Sequence, residues 1–310
     1  MIACNVLRAR ARRTAITITA TMPSILSRGK SMAQITRDTV MFSAIRTMAR
    51  HPGAHLYDST LAFRAMSEAV LFLVAFPLGF TLYFHPELVW TNGLYLVIGY
   101  NDVCFAFDTA PANIVAGPLF AFVAYLGMLH AHTRIVRLQE RDDVGGTKRV
   151  LIQATYVLFA FASASFPVVL ISPPEVSIYW HSYPYLFFRM MHFLALVASV
   201  AEHTEDEPIP AGTTTFLVIA GIAAFVFTPL VLFIYSEFES ACGFSPTYAG
   251  ARACPAWPAA RTVSPWVSGI ADYLFFAVLP LAPIFLPASA HPIPSLQKMT
   301  SVKGDAMGLL

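Results

Sequence analysis

The sequence predicts an all-α polytopic integral membrane protein, a bundle of six transmembrane helices with both termini on one side. Three observations lead there. Of the 310 residues, 56% are hydrophobic and 12% charged, about half the ~25% charge of soluble domains. Six apolar runs approach the roughly 20 residues that a spanning helix needs. Lysine and arginine collect in alternate loops, the bias that sets orientation in membranes.

The chain opens with a basic extension, residues 1–64, holding Arg8, Arg10, Arg12, Arg13, Arg28, Lys30 and further arginines, with no acid before Asp38. Its Arg/Ser/Thr-rich start fits a mitochondrial or plastid transit peptide. It equally fits a cytosolic extension lying on anionic headgroups. Residues 33–50 place Ile35, Val40, Met41, Ile45 and Met48 on one side of a surface amphipathic helix.

The transmembrane domain covers 65–290, with spans near 66–84, 113–133, 150–172, 182–203, 214–236 and 268–288. Pro77, Pro118, Pro167, Pro229 and Pro280 fall inside five of them. Helical bundles tolerate this because neighbouring groups re-satisfy the freed backbone. The 134–149 loop carries Arg134, Arg137, Arg141, Lys148 and Arg149, and the 291–310 tail carries Lys298 and Lys303. The alternate loops 85–112 and 173–181 carry no lysine or arginine, so the termini are expected inside. Loop 85–112 is apolar and aromatic. It reads as a lid folded onto the bundle or as a surface facing lipid or a partner. Small residues in "FAFASASF" (159–166) and "IAGIAAF" (219–225) mark close helix contacts.

Charge inside the spans is costly and is by default functional. The groups there are Glu68, His130, His132, His181, Arg189, His192 and Asp272. Arg189 lies about eight residues into span four, roughly 12 Å deep. Asp272 enters span six from the same side at similar depth, so a structural Arg189–Asp272 pair is the leading account. An ion or substrate path and exposure to a partner subunit or lipid phosphate are the rivals. The histidines do not pair at matching depth on neighbouring spans, so no haem is expected. His130 and His132 read as interfacial polar groups. Cys242 and Cys254 share one loop and form either a disulfide or two free thiols. No zinc spacing, nucleophile elbow, metalloprotease helix or phosphate loop occurs. The chain is therefore not expected to be an enzyme or to hold a metal or cofactor. Bound lipids are expected, along with other membrane subunits if the chain belongs to a complex. No nucleic acid is.

The landmarks resemble the Frag/DRAM/Sfk superfamily of six-span proteins. "FDTAPANIVAGPLFAFVAYLGMLHAHTRIVRL" (107–138) is similar to its loop element and second span, with Asp108, Thr109, Pro111, Phe120 and Arg134 in corresponding places. His181 stands where the family's fourth span opens, and Asp272-Tyr273 where its sixth carries an acid–aromatic pair. Ala110 replaces a family glycine, and Arg189 has no family counterpart. The resemblance implies a non-redox membrane protein tied to lipid handling, lipid-anchor maturation or autophagy regulation, with no established catalytic residues. A second resemblance is to subunit a of ATP synthases, on Arg189 and "AAFVFTPLV" (223–231). It implies a proton-path or structural subunit of a mitochondrial inner-membrane complex, with Arg189 facing the rotor.

Overall fold

The computed structural model describes residues 43–50, 59–172, 174, 176–203 and 209–286. By its contacts the chain divides into two compact units, Met1–Ser43 and Ala44–Leu310. Only Ser43 of the first is described, and every other described residue belongs to the second. The basic stretch 1–42, with Cys4, and the tail 291–310 lie outside the described residues.

Every described element is helical. In chain order they are α1 (Ser43–Arg50), α2 (Ser59–Phe84), α3 (Leu88–Thr91), α4 (Gly93–Ile98), a 3-10 turn (Val103–Phe107), α5 (Ala112–Gln139), α6 (Gly146–Ser165) and α7 (Val168–Ile171). Then come α8 (Ile178–Ala201), α9 (Thr213–Cys242), α10 (Tyr248–Ala253), α11 (Trp257–Ala260), α12 (Pro265–Val278), a second 3-10 turn (Leu279–Leu281) and α13 (Ala282–Phe285). Five stretches are long and apolar enough to cross a membrane: α2, α5, α6 continued through α7, α8 and α9. The chain is an integral membrane protein of the all-α polytopic class.

The sixth apolar run differs from the continuous helix expected over 268–288. Its α-helix, α12, is 14 residues long. At Leu279–Leu281 the chain tightens into a 3-10 turn around Pro280 and resumes as α13. A proline offers no N–H to the preceding turn, which accounts for the change. Pro167 likewise separates α6 from α7, whereas Pro77, Pro118 and Pro229 are carried inside their helices. Pro184, absent from the expected set, sits inside α8.

The long helices pack in chain order, α2 on α5, α5 on α6, α6 on α8, α8 on α9 and α9 on α12. Small residues set the closest approaches: a Cβ on Gly127 of α5 would lie 2.3 Å from Ser163 Oγ of α6. Gly221 of α9 packs against the Phe193 ring of α8 in the same manner. The α1 helix sits in the territory assigned to the basic extension, yet Ala44 is buried, and Ile45 and Met48 pack on the core. Glu68 accepts hydrogen bonds from the amides of Ala44 (3.1 Å) and Ile45 (3.0 Å). Its carboxylate thus satisfies the orphan donors of a helix start.

The 134–149 loop is shorter than expected, because α5 runs through Gln139 and takes Arg134 and Arg137 with it. At the other end of the bundle, loop 85–112 folds back over the helices. Leu94, Val97, Ile98 and Val103–Phe107 are buried there, so its bulk is a cap. The connection after α9 locks onto that cap: Trp257 Nε1 donates to the Val97 carbonyl at 2.8 Å. Of the two readings open for the paired cysteines, the disulfide Cys242–Cys254 is formed, while Cys104 is a buried free thiol. Tyr83, Trp90, Trp180 and Trp266 are exposed around the cap end. Amphipathic aromatic rings of this kind gather where bilayer meets water.

Candidate functional site

The site is one face of α8. His181, Tyr185, Arg189, His192, Ser199 and Glu202 recur at helical spacing and all lie buried. At about 1.5 Å per residue, His181 to Glu202 spans about 32 Å, the thickness of a hydrocarbon core. The helix begins cleanly because Ser177 caps it, accepting from the Trp180 amide.

At the cap end, His181 Nδ1 lies 2.9 Å from the Ser172 carbonyl. A carbonyl only accepts, so Nδ1 carries the proton. The other ring nitrogen, Nε2, faces Asp108 Oδ1 at 3.5 Å. Tyr248 donates its hydroxyl to Asp108 Oδ2. Asp108 and His181 are thus brought together, while Thr109 stays beside them with a buried hydroxyl that makes no hydrogen bond. Pro111 ends the loop and precedes α5. Nearby, Asp102 accepts from the Cys104 amide at 2.8 Å. Burial raises the Asp102 carboxyl above its usual range and raises the Cys104 thiol well above its own. Burial, with the charges of Asp272 and Asp102, pushes the Tyr100 phenol well above its ordinary value.

About two turns further along α8, Arg189 has 0% of its surface exposed, as has Asp272. Its Nη1 donates to Asp272 Oδ1 at 2.6 Å and to Tyr185 Oη at 2.9 Å. Tyr185 in turn donates to the same Asp272 oxygen at 2.6 Å. The Nε donates to the Ala223 carbonyl of α9 at 3.1 Å, and Nη2 donates to the carbonyls of Ala223 and Ala271. The rings of Phe227 and Phe275 lie 4.0 and 4.6 Å from the guanidinium carbon, within cation–π reach. One side chain therefore ties α8 to α9 and α12. Every strong donor direction of the fork is used.

Three residues on from Arg189, His192 is the opposite case. Both of its ring nitrogens are buried with no hydrogen-bond partner among the described residues. Phe63, Phe159, Phe188 and Phe275 surround it with ring centroids 5.2, 5.7, 5.6 and 5.9 Å away. His130 of α5 contacts two of the same rings, Phe63 at 4.8 Å and Phe159 at 6.2 Å. This corrects the reading of His130 as interfacial. Of the His130/His132 pair only His132 is exposed, because α5 continues past both and turns His130 inward. His130 Nδ1 donates to the Ser59 carbonyl at 2.8 Å, and its Nε2 is buried without a partner.

At the cationic end, Tyr156 Oη meets Ser199 Oγ at 3.1 Å. Arg134 Nη1 and Glu202 Oε2 form a buried ion pair at 2.9 Å. Glu68, grouped with these residues by sequence, stands apart as the partner of α1. Sequence reasoning missed Glu202, Tyr156, Tyr248 and Tyr185. Tyr185 had a usable signal, since it lies one turn before Arg189 on the same face. Among the described residues no cluster of three or more His, Cys, Asp or Glu side chains could hold a metal ion. Compared with protein-family models, curated proteins and solved structures, the chain matches none.

Proposed function

We propose that this chain is a non-enzymatic, Frag/DRAM-like membrane protein. On this reading α12, the 3-10 turn and α13 together make the sixth span, both termini face the cation-rich side, and the cap end binds membrane lipid or a membrane partner. The observation that carries it is the meeting of Asp108 and His181 at 3.5 Å. These two residues are remote in sequence, and the family likeness singles out both. The rotor-facing alternative, a proton-path or structural subunit of a mitochondrial complex, needs an arginine open to a moving partner. Arg189 is wholly enclosed by its own chain, which favours the first reading.

A C-terminal fluorescent fusion separates the two. The expected signal is endomembrane or plasma membrane. Mitochondrial signal with co-purification of an ATP synthase or respiratory complex would sink the reading. For the cap site, native mass spectrometry of the purified protein is expected to show bound phospholipid that is lost in Asp108→Ala. Equal lipid in both proteins counts against a cap-end site.

A further inference from the structure

The polar face of α8 contains two kinds of group, and hydrogen-bond saturation separates them. Arg189 and Tyr185 spend their polar atoms on one another, on one oxygen of Asp272 and on two backbone carbonyls, which is what a structural brace requires. The histidines do not fit that pattern. Among the described residues His192 has two unpartnered nitrogens and His130 has one. A buried polar atom left without a partner costs about 1–3 kcal/mol. A helix that needed only packing at position 192 would be better served by a phenyl ring like the four around it. His192 lies about twelve residues past exposed Trp180, roughly 18 Å from the interface, near the middle of a ~30 Å core. Uncompensated imidazole at mid-depth calls for an account beyond stability.

The neighbours supply one. Toward the cap, Phe275 touches the His192 ring and also carries the Arg189 guanidinium on its face; Asp272 lies on the same helix as Phe275, with a buried Oδ2 that has no partner. Beyond it, the Tyr100 hydroxyl is also buried and unpartnered. Toward the cationic end, His130 shares Phe63 and Phe159 with His192, and its ring lies 5.8 Å from that of Tyr156. Tyr156 then reaches Ser199, one turn before Glu202, whose Oε2 is held by Arg134 and whose Oε1 is buried with no hydrogen bond to a described residue. Along α8 the order is Arg189 with its Asp272 partner, then His192, then Glu202 at the helix end.

We propose that this face is a transmembrane proton path, with His192 and His130 as the relay between Asp272 at the cap side and Glu202 at the cationic side. His192 accepts a proton on one nitrogen and releases the proton held on the other, so charge and atoms balance over each passage, and a ring flip resets it. His130 keeps its Nδ1 proton on the Ser59 carbonyl; its Nε2 takes a proton from the His192 side and gives it up to the Tyr156–Ser199–Glu202 side, so His130 ends each passage as it began. The four phenyl rings enclose the imidazole and shield it from lipid. Arg189, fixed between Asp272 and the two carbonyls, discourages other cations from following. The path does not depend on lipid binding at the cap.

The test is proton flux in phospholipid vesicles that contain the purified full-length chain and a trapped pH dye, driven by a potassium diffusion potential with valinomycin. The expected result is acidification well above protein-free vesicles. It should fall by about a hundredfold in His192→Phe, the low end of what a positioned proton-transfer group supplies. The same variant is expected to keep or raise the thermal midpoint in detergent, because it removes two unsatisfied atoms. His130→Phe is expected to lose flux as well, with a lower midpoint from the lost Ser59 bond. No flux in the wild type overturns the proposal. So does unchanged flux in a folded His192→Phe, or a collapse of its midpoint, which would make the imidazole a structural group.

Discussion

Arg189 shows how a guanidinium can be housed in a bundle interior at small net cost. An isolated charge there is expensive, and a bare ion pair seldom repays its desolvation. Here the carboxylate of Asp272, the Tyr185 hydroxyl, two helix carbonyls and two aromatic faces together replace water. The arrangement makes an asymmetric prediction. Arg189→Met leaves Asp272 buried and unpaired, and should cost about 3–5 kcal/mol. Arg189→Met with Asp272→Leu removes both charges and should recover most of that, since the Ala223 and Ala271 carbonyls belong to α9 and α12 and keep their helical partners. The reciprocal swap, Arg189→Asp with Asp272→Arg, should not rescue, because an aspartate at 189 would face those two carbonyl oxygens. Thermal midpoints in detergent decide it. A swap as stable as the wild type would show that only the pairing of charges matters, and not the fork geometry.

Among the elements, helix approach is set by side-chain size more than by hydrophobicity, as expected where lipid is as apolar as the core. On Gly127 of α5, a Cβ would sit 2.3 Å from Ser163 Oγ and 2.8 Å from Ser163 Cβ. The second distance cannot be relieved by rotating the hydroxyl. Gly127→Ala should therefore cost about 1–3 kcal/mol by overpacking, and Ser163→Gly in the same chain should return most of it. A Gly127→Ala midpoint equal to the wild type would mean that α5 and α6 slide apart freely. This contact was half legible in the sequence: the run "FAFASASF" identifies the face of α6, but nothing in it names Gly127 as the partner. The same holds for the sites. Period and hydropathy reveal α2, α5, α6, α8 and α9, because each holds an apolar stretch long enough to cross a membrane. The cap is built from short helices held by a disulfide and by contacts such as Trp257 to Val97 and Tyr248 to Asp108. Such pairings leave no local period, and only folding brings them together. Arg189 and Asp272 were legible as lone charges in apolar runs, whereas Glu202 was hidden among the acids that come after it.

For the whole molecule, the course of the last apolar segment decides the topology. Alone, α12 is too short, since its 14 residues rise only about 21 Å. With the 3-10 turn and α13 the helical path runs on to Phe285 and gains about 11 Å. Trp266 at its start is 80% exposed, where an interfacial anchor belongs, and Asp272 enters the core behind it, already held by Arg189. The segment buries its one acid against a helix that does span, which argues that it shares that helix's depth and does not lie along the surface. Single cysteines can test this in a chain that keeps only the 242–254 disulfide. A cysteine at Ala256 in the cap and one at Ser301 in the tail should react with a membrane-impermeant maleimide from opposite sides of sealed vesicles. A cysteine at Gly145, between α5 and α6, should behave as Ser301 does. If Ser301 instead labels with Ala256, the segment turns back within the membrane. The Arg189–Asp272 pair would then brace a re-entrant hairpin, and the bundle would have five spans with its ends on opposite sides.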